Sequence, residues 1–145
     1  MKGLIQRVKR ASVTIDGKVY SKINQGILIL LGVEKGDNEQ KADKLADKLC
    51  KLRIFEDEDG KMNKSILDVN GEILIVSQFT LAGDCKKGTR PSFDKAELPQ
   101  RANELYEYFV DLIKQKNIPV GTGVFGAMMD VELVNDGPVT FMLEF

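Results

Sequence analysis

The pattern of apolar and polar positions predicts several strands along the chain. Apolar and polar residues alternate over residues 4–15, which is typical of a half-buried strand. The dipeptide Asp16-Gly17 is a strong hairpin signal, and residues 18–23 would form the returning strand. Residues 27–33 and 72–81 contain nearly unbroken apolar runs, and such runs indicate strands that are buried on both faces.

Two segments instead have apolar residues at helical spacing. The first helix is predicted to begin at Asp37, since Gln40 completes a capping-box pattern there. The second is predicted over about residues 94–116, with Asp94 and Glu97 as a capping pair. Their apolar stripes consist of Ala42, Leu45, Ala46, Leu49 and Leu52 in the first helix and of Ala102, Leu105, Tyr106, Phe109, Leu112 and Ile113 in the second.

The C-terminal part alternates again on both sides of a turn sequence at residues 135–138. Many strands, hairpin connections and two main helices predict an α+β fold with a mostly antiparallel, β-barrel-like sheet. We expect residues 1–145 to form a single domain, because that length suits one hydrophobic core.

Composition and charge narrow the class of protein. The 145 residues are 43% hydrophobic and 30% charged, as in an ordinary globular protein, and no apolar run approaches a membrane span. We therefore expect a cytoplasmic protein. A net charge of −1 argues against a protein that binds nucleic acid along its whole length. Lys86, Lys87 and Arg90 nevertheless form an acid-free basic cluster, so any contact with a polyanion should be local and modest; the alternative is a solvated loop.

The absence of histidine limits the chemistry that the chain can perform. A sequence without histidine has no Ser-His-Asp triad, no Cys-His pair and no His-bearing zinc site. Cys50 and Cys85 lack metal-site spacing, so we expect two free thiols. No metal and no cofactor are therefore expected. Residues 121–126 match the GxGxxG dinucleotide pattern, but a strand-like stretch follows where a helix is required, which favours a loop of close backbone approach.

The segment Ser77-Gln78-Phe79-Thr80 is a candidate site, although its pattern alone favours a plain strand rim. It places three hydrogen-bonding side chains around one aromatic ring at a strand end, where a rigid scaffold can aim them. The alternative is a strand rim whose hydroxyls bond neighbouring backbone. Two other features remain open. Arg7 lies in a strand-like segment without an evident partner, and Gly137-Pro138 is by statistics an ordinary trans turn dipeptide.

Taken together, the motifs resemble those of the bacterial D-aminoacyl-tRNA deacylases over essentially the whole chain. The segments that carry the resemblance are Gln6-Arg7-Val8, Ser77 to Leu81, Lys87 to Phe93, Gly126-Ala127-Met128-Met129 and Asn135 to Thr140. The Ser-Gln-Phe-Thr and Gly-Pro-Val-Thr segments would be weak evidence singly, but their combination at this spacing is specific.

The resemblance implies a homodimer that hydrolyses D-amino acids from tRNA. Gly137-Pro138 would be a Gly-cisPro pair that enters the partner's pocket and leaves no room for an L side chain, while Arg7 holds it in place. The pocket would be lined by Ser77, Gln78, Phe79 and Thr80 around the ester, with Met129 nearby. The basic cluster Lys86, Lys87 and Arg90 would contact the acceptor end of the tRNA. The resemblance also implies removal of glycine from mischarged alanine tRNA.

Hydrolysis without histidine or a metal is chemically reasonable for this ester. The ester is already activated, the ribose 2′-hydroxyl can position water, and backbone N–H groups near Phe79 and Thr80 could stabilise the oxyanion. Thr80 as a covalent nucleophile would need a base, and none is evident.

Two other classes of protein stay open. One is an editing domain like that fused to archaeal threonyl-tRNA synthetases, which the lack of an attached synthetase disfavours. The other is a non-catalytic nucleic-acid-binding protein.

Overall fold

Six of eight strands form one sheet that curls into a nearly closed barrel, and two helices cover one of its faces. The computed structural model describes residues 1–145. The strands are β1 (Lys2–Ile15), β2 (Lys18–Ile23), β3 (Gly26–Gly32), β4 (Phe55–Glu56), β5 (Met62–Lys64), β6 (Glu72–Ser77), β7 (Val120–Thr122) and β8 (Asp130–Glu144). The helices are α1 (Glu39–Lys51) and α2 (Pro99–Lys114), and a 3₁₀ turn spans Phe79–Ala82. Neither α1 nor α2 combines the length and the apolar composition that a membrane span requires.

The sheet is mixed, which refines the predicted antiparallel arrangement. Strands β2, β3 and β8 pair with β1 in antiparallel fashion, but β6 lies parallel to both β3 and β7. The cause is the position of the helices in the chain. Helix α1 lies between β3 and β6 and helix α2 between β6 and β7, and a helical crossover returns the chain in its original direction.

The central strands bury both of their faces, as their continuous apolar runs predict. Along β3, Ile27 and Ile29 join the larger core under α1 and α2, whereas Leu28 joins a smaller core on the opposite face with Val13 and Leu74. This double burial fixes the register of β3 and β6, since a slip of one residue would exchange the two faces. The C-terminal end of β6 is therefore a rigid point of the molecule.

Helix α1 begins slightly later than predicted, because Asp37 has another role. The N-cap is Asn38, whose side chain accepts a hydrogen bond from the Lys41 N–H at 3.1 Å. Asp37 turns inward and accepts from the Met1 amino group at 2.6 Å and from the Glu34 N–H at 2.7 Å. Burial alone would raise the pKa of Asp37, but these hydrogen bonds and the Lys41 ammonium outweigh it and lower that pKa.

Helix α2 also begins later than the predicted Asp94. Its N-cap is Leu98, which provides no side-chain cap, and proline occupies the first turn. Asp94 accepts from the Ser92 hydroxyl at 2.8 Å, and Glu97 accepts from the Leu98 N–H at 2.7 Å. The predicted capping pair therefore stabilises the approach to the helix and not its first turn.

Two strand predictions are corrected as well. The strand predicted over residues 72–81 ends at Ser77, where the 3₁₀ turn begins to form. The predicted turn at residues 135–138 does not reverse the chain, because it lies inside β8. Strand β8 pairs with β1 before and after this segment: Asn135 lies opposite Val8, and Thr140 lies opposite Gln6. Residues 136–139 therefore face the single residue Arg7 and form an enlarged bulge.

Candidate active site

The four residues predicted at the end of β6 form one compact group. The Gln78 N–H donates to the Leu31 carbonyl at 2.8 Å, which fixes the chain as it leaves the sheet. The Leu81 N–H then donates back to the Gln78 carbonyl at 3.2 Å and closes the turn. Within it, Gln78 Nε2 donates to Thr80 Oγ1 at 2.5 Å, while the Phe79 ring is 54% exposed.

The turn offers backbone donors beside these side chains. The N–H groups that open a helical turn have no carbonyl partner within it. Here they belong to Phe79 and Thr80, the first two residues of the 3₁₀ turn. Two adjacent N–H groups on a fixed backbone are an arrangement that can stabilise an oxyanion.

An open cavity of about 510 Å³ lies against this turn. Its volume is in the usual range for small-molecule sites. Residues 125–129 form a further part of its wall, and we call the connection between β7 and β8 that contains them, residues 123–129, the cavity-wall loop. The lining consists of Val76, Ser77, Gln78, Phe79, Glu97, Pro99, Ala102, Phe125, Gly126, Ala127, Met128, Met129 and Val131. Thr80, which was expected to line the pocket with Ser77, Gln78 and Phe79, is exposed beside it and is not part of the lining.

The cavity-wall loop contains site residues that the sequence prediction missed. Met129 lines the cavity as expected, but Phe125 and Met128 were not predicted there. The signal was present in the glycine pattern, which indicated close backbone approach without saying to what. At Gly123, a Cβ atom would lie only 2.7 Å from Met129 Sδ, and the Val124 N–H donates to the same sulfur at 3.3 Å.

The cavity has few ionisable groups. Glu97 is its one lining carboxylate, and it is engaged with the Leu98 N–H. No group of three or more potential metal-ligating side chains occurs in the structure. Cys50 and Cys85 are free thiols and lie outside the lining. Burial raises the pKa of Cys50 to about 11, so this thiol is protonated at neutral pH.

Gly137-Pro138 and Arg7 lie together, but away from this cavity in the same chain. The peptide bond is cis, both residues are exposed, and neither lines the cavity. Val131, near the start of β8, lines the cavity, and Gly137 lies six residues further along that strand. Arg7 is 4% exposed and donates to the Asp136 carbonyl at 3.2 Å and to the Ile54 carbonyl at 2.7 Å.

Residues 86–93, which contain the basic cluster and are called the basic loop here, lie beside the end of β6 and pack against it. The Phe93 ring packs on the Phe79 ring with centroids 5.1 Å apart, and Asp84 and Ser92 exchange backbone hydrogen bonds of 2.8 and 3.0 Å. A polar cavity of about 300 Å³ in this loop is lined by Asp84, Lys86, Lys87, Ser92, Asp94 and Lys95. Arg90 is exposed and does not line it, and Lys95 was missed by the sequence prediction.

Comparison with known proteins identifies the family. The family model for D-Tyr-tRNA(Tyr) deacylase matches residues 4–144. A D-aminoacyl-tRNA deacylase of Geotalea uraniireducens (strain Rf4) is 60% identical over 99% of this chain and 93% of its own, and one of Aquifex aeolicus (strain VF5) is 57% identical over 99% and 97%. The chain therefore belongs to the D-Tyr-tRNA(Tyr) deacylase family, as the motifs predicted. It is a D-aminoacyl-tRNA deacylase, and enzymes of this class hydrolyse the ester bond of an aminoacyl-tRNA.

Solved structures agree on the fold. The structure of a c-Myc DNA unwinding element binding protein is 42% identical, with a TM-score of 0.95, and covers 100% of this chain and 99% of its own. A probable eukaryotic D-amino acid tRNA deacylase has a TM-score of 0.79 at 17% identity, with coverage of 98% and 97%. At that identity the second likeness establishes the barrel-like α+β fold alone.

Proposed function

We propose that this chain, as a single domain of residues 1–145, hydrolyses the ester between a D-amino acid and the 3′-terminal adenosine of tRNA. The working unit is a homodimer, and Gly137-Pro138 of one chain enters the cavity of the other. The observation that carries the proposal is the fixed group Ser77–Thr80, in which Ser77, Gln78 and Phe79 line an open cavity and Thr80 is hydrogen-bonded to Gln78. The family of the chain supports the choice of substrate.

In this proposal, hydrolysis depends on position and backbone. The N–H groups of Phe79 and Thr80 stabilise the oxyanion, a contribution of roughly 3–4 kcal/mol per donor in comparable enzymes. The ribose 2′-hydroxyl of the substrate positions the attacking water. Thr80 orients the ester and does not attack it, because its hydroxyl accepts from the Gln78 amide and the chain has no histidine to act as its base.

Chiral selection rests on exclusion by Gly137-Pro138. The two backbone carbonyls face the α-amino group of the substrate and occupy the space that an L side chain would need. Rejection by a clash can be strong without tight binding of the D form. Because glycine has no side chain to reject, glycine mischarged on alanine tRNA is a second proposed substrate.

Two features favour a partner chain as the place where this pair acts. Gly137-Pro138 is exposed and does not line the cavity of its own chain. The cavity in turn has apolar side chains at its rim without cover, with Met128 91% and Phe79 54% exposed. Exposed apolar groups around a cavity are typical of surfaces that bind a partner. Arg7 would hold the inserted segment through Asp136.

The basic loop supports contact with the acceptor end of tRNA. Lys86 and Lys87 line its polar cavity, and Phe93 packs on Phe79 and so fixes the loop beside residues 77–82, the catalytic turn of this proposal. Arg90 is exposed at the same loop and would add a phosphate contact. A near-neutral net charge of −1 suits an enzyme that holds one end of its substrate. A nucleic-acid-binding protein without catalytic activity would use the same loop. The similarity to the structure of a c-Myc DNA unwinding element binding protein supports this as a second candidate function.

A deacylation assay with matched substrates tests the proposal. D-Tyr-tRNA, L-Tyr-tRNA and Gly-tRNA(Ala) are incubated with the protein in EDTA, and the mass of the particle in solution is measured. We expect hydrolysis of the D-aminoacyl and glycyl esters, an intact L ester and a dimer. Tight tRNA binding without hydrolysis would support the binding protein instead. Loss of activity in EDTA that zinc restores would contradict the proposed chemistry, and a fully active monomer would contradict insertion from a partner.

A further inference from the structure

We propose that Tyr106 is a positioning residue that sets the cavity-wall loop against the catalytic strand end. The inference rests on the proposed function, because it concerns the same cavity. Tyr106 lies on α2 and is 5% exposed, and it does not line the cavity itself. It therefore acts through other residues.

The Ile75 carbonyl is the point where three elements meet. The Tyr106 hydroxyl donates to it at 2.8 Å in a buried environment, and the Gly123 N–H donates to it at 3.1 Å. Gly123 is the first residue of the cavity-wall loop. Ile75 lies two residues before Ser77 on β6. One carbonyl therefore joins α2, the start of the loop and the strand that ends in the catalytic turn.

The Tyr106 ring makes a second contact with the same loop. It packs against the Phe125 ring with centroids 6.1 Å apart and the planes tilted by 48°. Phe125 lines the cavity. Burial raises the pKa of Tyr106 to about 12, so its hydroxyl keeps the proton that it donates to Ile75 at neutral pH. Hydroxyl and ring together determine where the loop begins and where Phe125 lies.

The catalytic turn has supports of its own that do not involve Tyr106. The catalytic turn is fixed by the Gln78 N–H to the Leu31 carbonyl and by its own internal hydrogen bonds. Loss of the Tyr106 hydroxyl should therefore displace the substrate-holding wall and leave the hydrolytic groups in place. Substrate binding should weaken while the chemical step is retained.

The test is Tyr106→Phe, which keeps the ring and removes the hydroxyl. We expect the KM for D-Tyr-tRNA to rise by roughly 3- to 10-fold, which corresponds to the loss of one buried neutral hydrogen bond, with kcat within about 2-fold of the unchanged protein. The dissociation constant of a non-hydrolysable D-tyrosyl-adenosine amide, measured by calorimetry, should rise by the same factor.

Tyr108→Phe is the matched control on the same helix. The Tyr108 hydroxyl donates to Asp43 at 2.9 Å on the exposed side that faces α1, so its removal should leave KM and kcat unchanged. Equal KM values for Tyr106→Phe and Tyr108→Phe, or a fall in kcat at constant KM, would overturn the inference. A lower melting temperature of Tyr106→Phe with unchanged KM would show a purely structural role and overturn it too. Absence of deacylation by the unchanged protein would instead refute the proposed function, and binding of the amide would still separate the two variants.

Discussion

The two parts of the proposed site are built in different ways. The proposed catalytic turn follows β6, which has neighbours on both sides and whose residues Ile73 to Ile75 are 0% exposed. Gly137-Pro138 instead protrudes from a bulge in β8, a strand that pairs only with β1, and its main internal support is Arg7. The chain thus immobilises the groups that would react and presents outward the groups that would select.

We call the turn after β6 the inner half of the proposed site and the Gly137-Pro138 segment its outward half. Gly137→Ala changes the outward half and should have the largest effect on activity. Gly137 has a φ of +120°, and a Cβ there would lie 2.8 Å from Val139 Cγ2 and 3.1 Å from Arg7 Nη2. The segment must shift, and a displacement of about 1 Å in a positioning element can cost on the order of 100-fold in rate. We expect kcat/KM for D-Tyr-tRNA to fall by about that factor, measured together with hydrolysis of L-Tyr-tRNA.

Gly60→Ala is the control for backbone strain alone. Gly60 has a φ of +74° in the exposed hairpin of β4 and β5, and a Cβ there would meet nothing within 4 Å. It should lower stability by about 1 kcal/mol and leave both activities unchanged. An active, fully selective Gly137→Ala protein would show that this pair takes no part in selection.

Arg7→Lys tests the support of the outward half. Lysine keeps the charge but cannot reproduce the guanidinium fork that bonds Ile54 and Asp136 together. We expect unfolding by urea to show a loss of about 1.5–3 kcal/mol, since a buried charged hydrogen bond is removed, and a fall of roughly 10-fold in D-Tyr-tRNA hydrolysis.

Arg53→Lys provides the comparison for Arg7→Lys. Arg53 donates to Asn63 at 3.0 Å on an exposed surface, so the same exchange should change stability by less than about 0.5 kcal/mol. If Arg7→Lys were as stable and as active as Arg53→Lys, the Gly137-Pro138 segment would have to be held by other contacts.

The difference between the two halves also explains what the sequence could predict. Local patterns located most strands and both helix stripes, and they placed Ser77–Thr80 at a strand end, because each depends on neighbours within one element. The parallel pairing of β6 and the opposition of Phe125 to the catalytic turn depend on how distant elements cross. No local pattern encodes such contacts.

Capping and turn patterns failed where a distant group competed for the same residue. Asp37 has the pattern of an N-cap, but the Met1 amino group binds its carboxylate and Asn38 caps the helix instead. Turn statistics favoured a trans Gly137-Pro138 in a chain reversal, whereas the structure has a cis bond inside β8. The family resemblance, which compares whole chains, was the source of the cis expectation.

Replacement of Lys86, Lys87 and Arg90 with Gln tests the basic loop, which is fixed to the inner half. Each phosphate contact that is lost should reduce the slope of log KM against log salt by roughly one unit. We expect a KM for D-Tyr-tRNA about 10-fold higher at low salt, with an unchanged kcat. The triple replacement of the exposed Lys44, Lys48 and Lys51 on α1 changes the net charge equally and should leave the slope unchanged. Equal slopes for the two triple variants would remove the basic loop from the tRNA contact.

Thr80→Ser should have the smallest effect, although Thr80 lies at the centre of the inner half. Serine keeps the hydroxyl that accepts from Gln78 Nε2 and leaves the backbone N–H of the turn where it was. The methyl group that is lost belongs to an exposed side chain, so its removal costs little packing. We expect kcat within about 3-fold of the unchanged protein, a difference below 1 kcal/mol in activation free energy. Rapid-quench sampling should find no ester between Thr80 and the amino acid at any time. A trapped Thr80 ester would make the hydroxyl a nucleophile, and the inner half would then act through a side chain and not through its backbone.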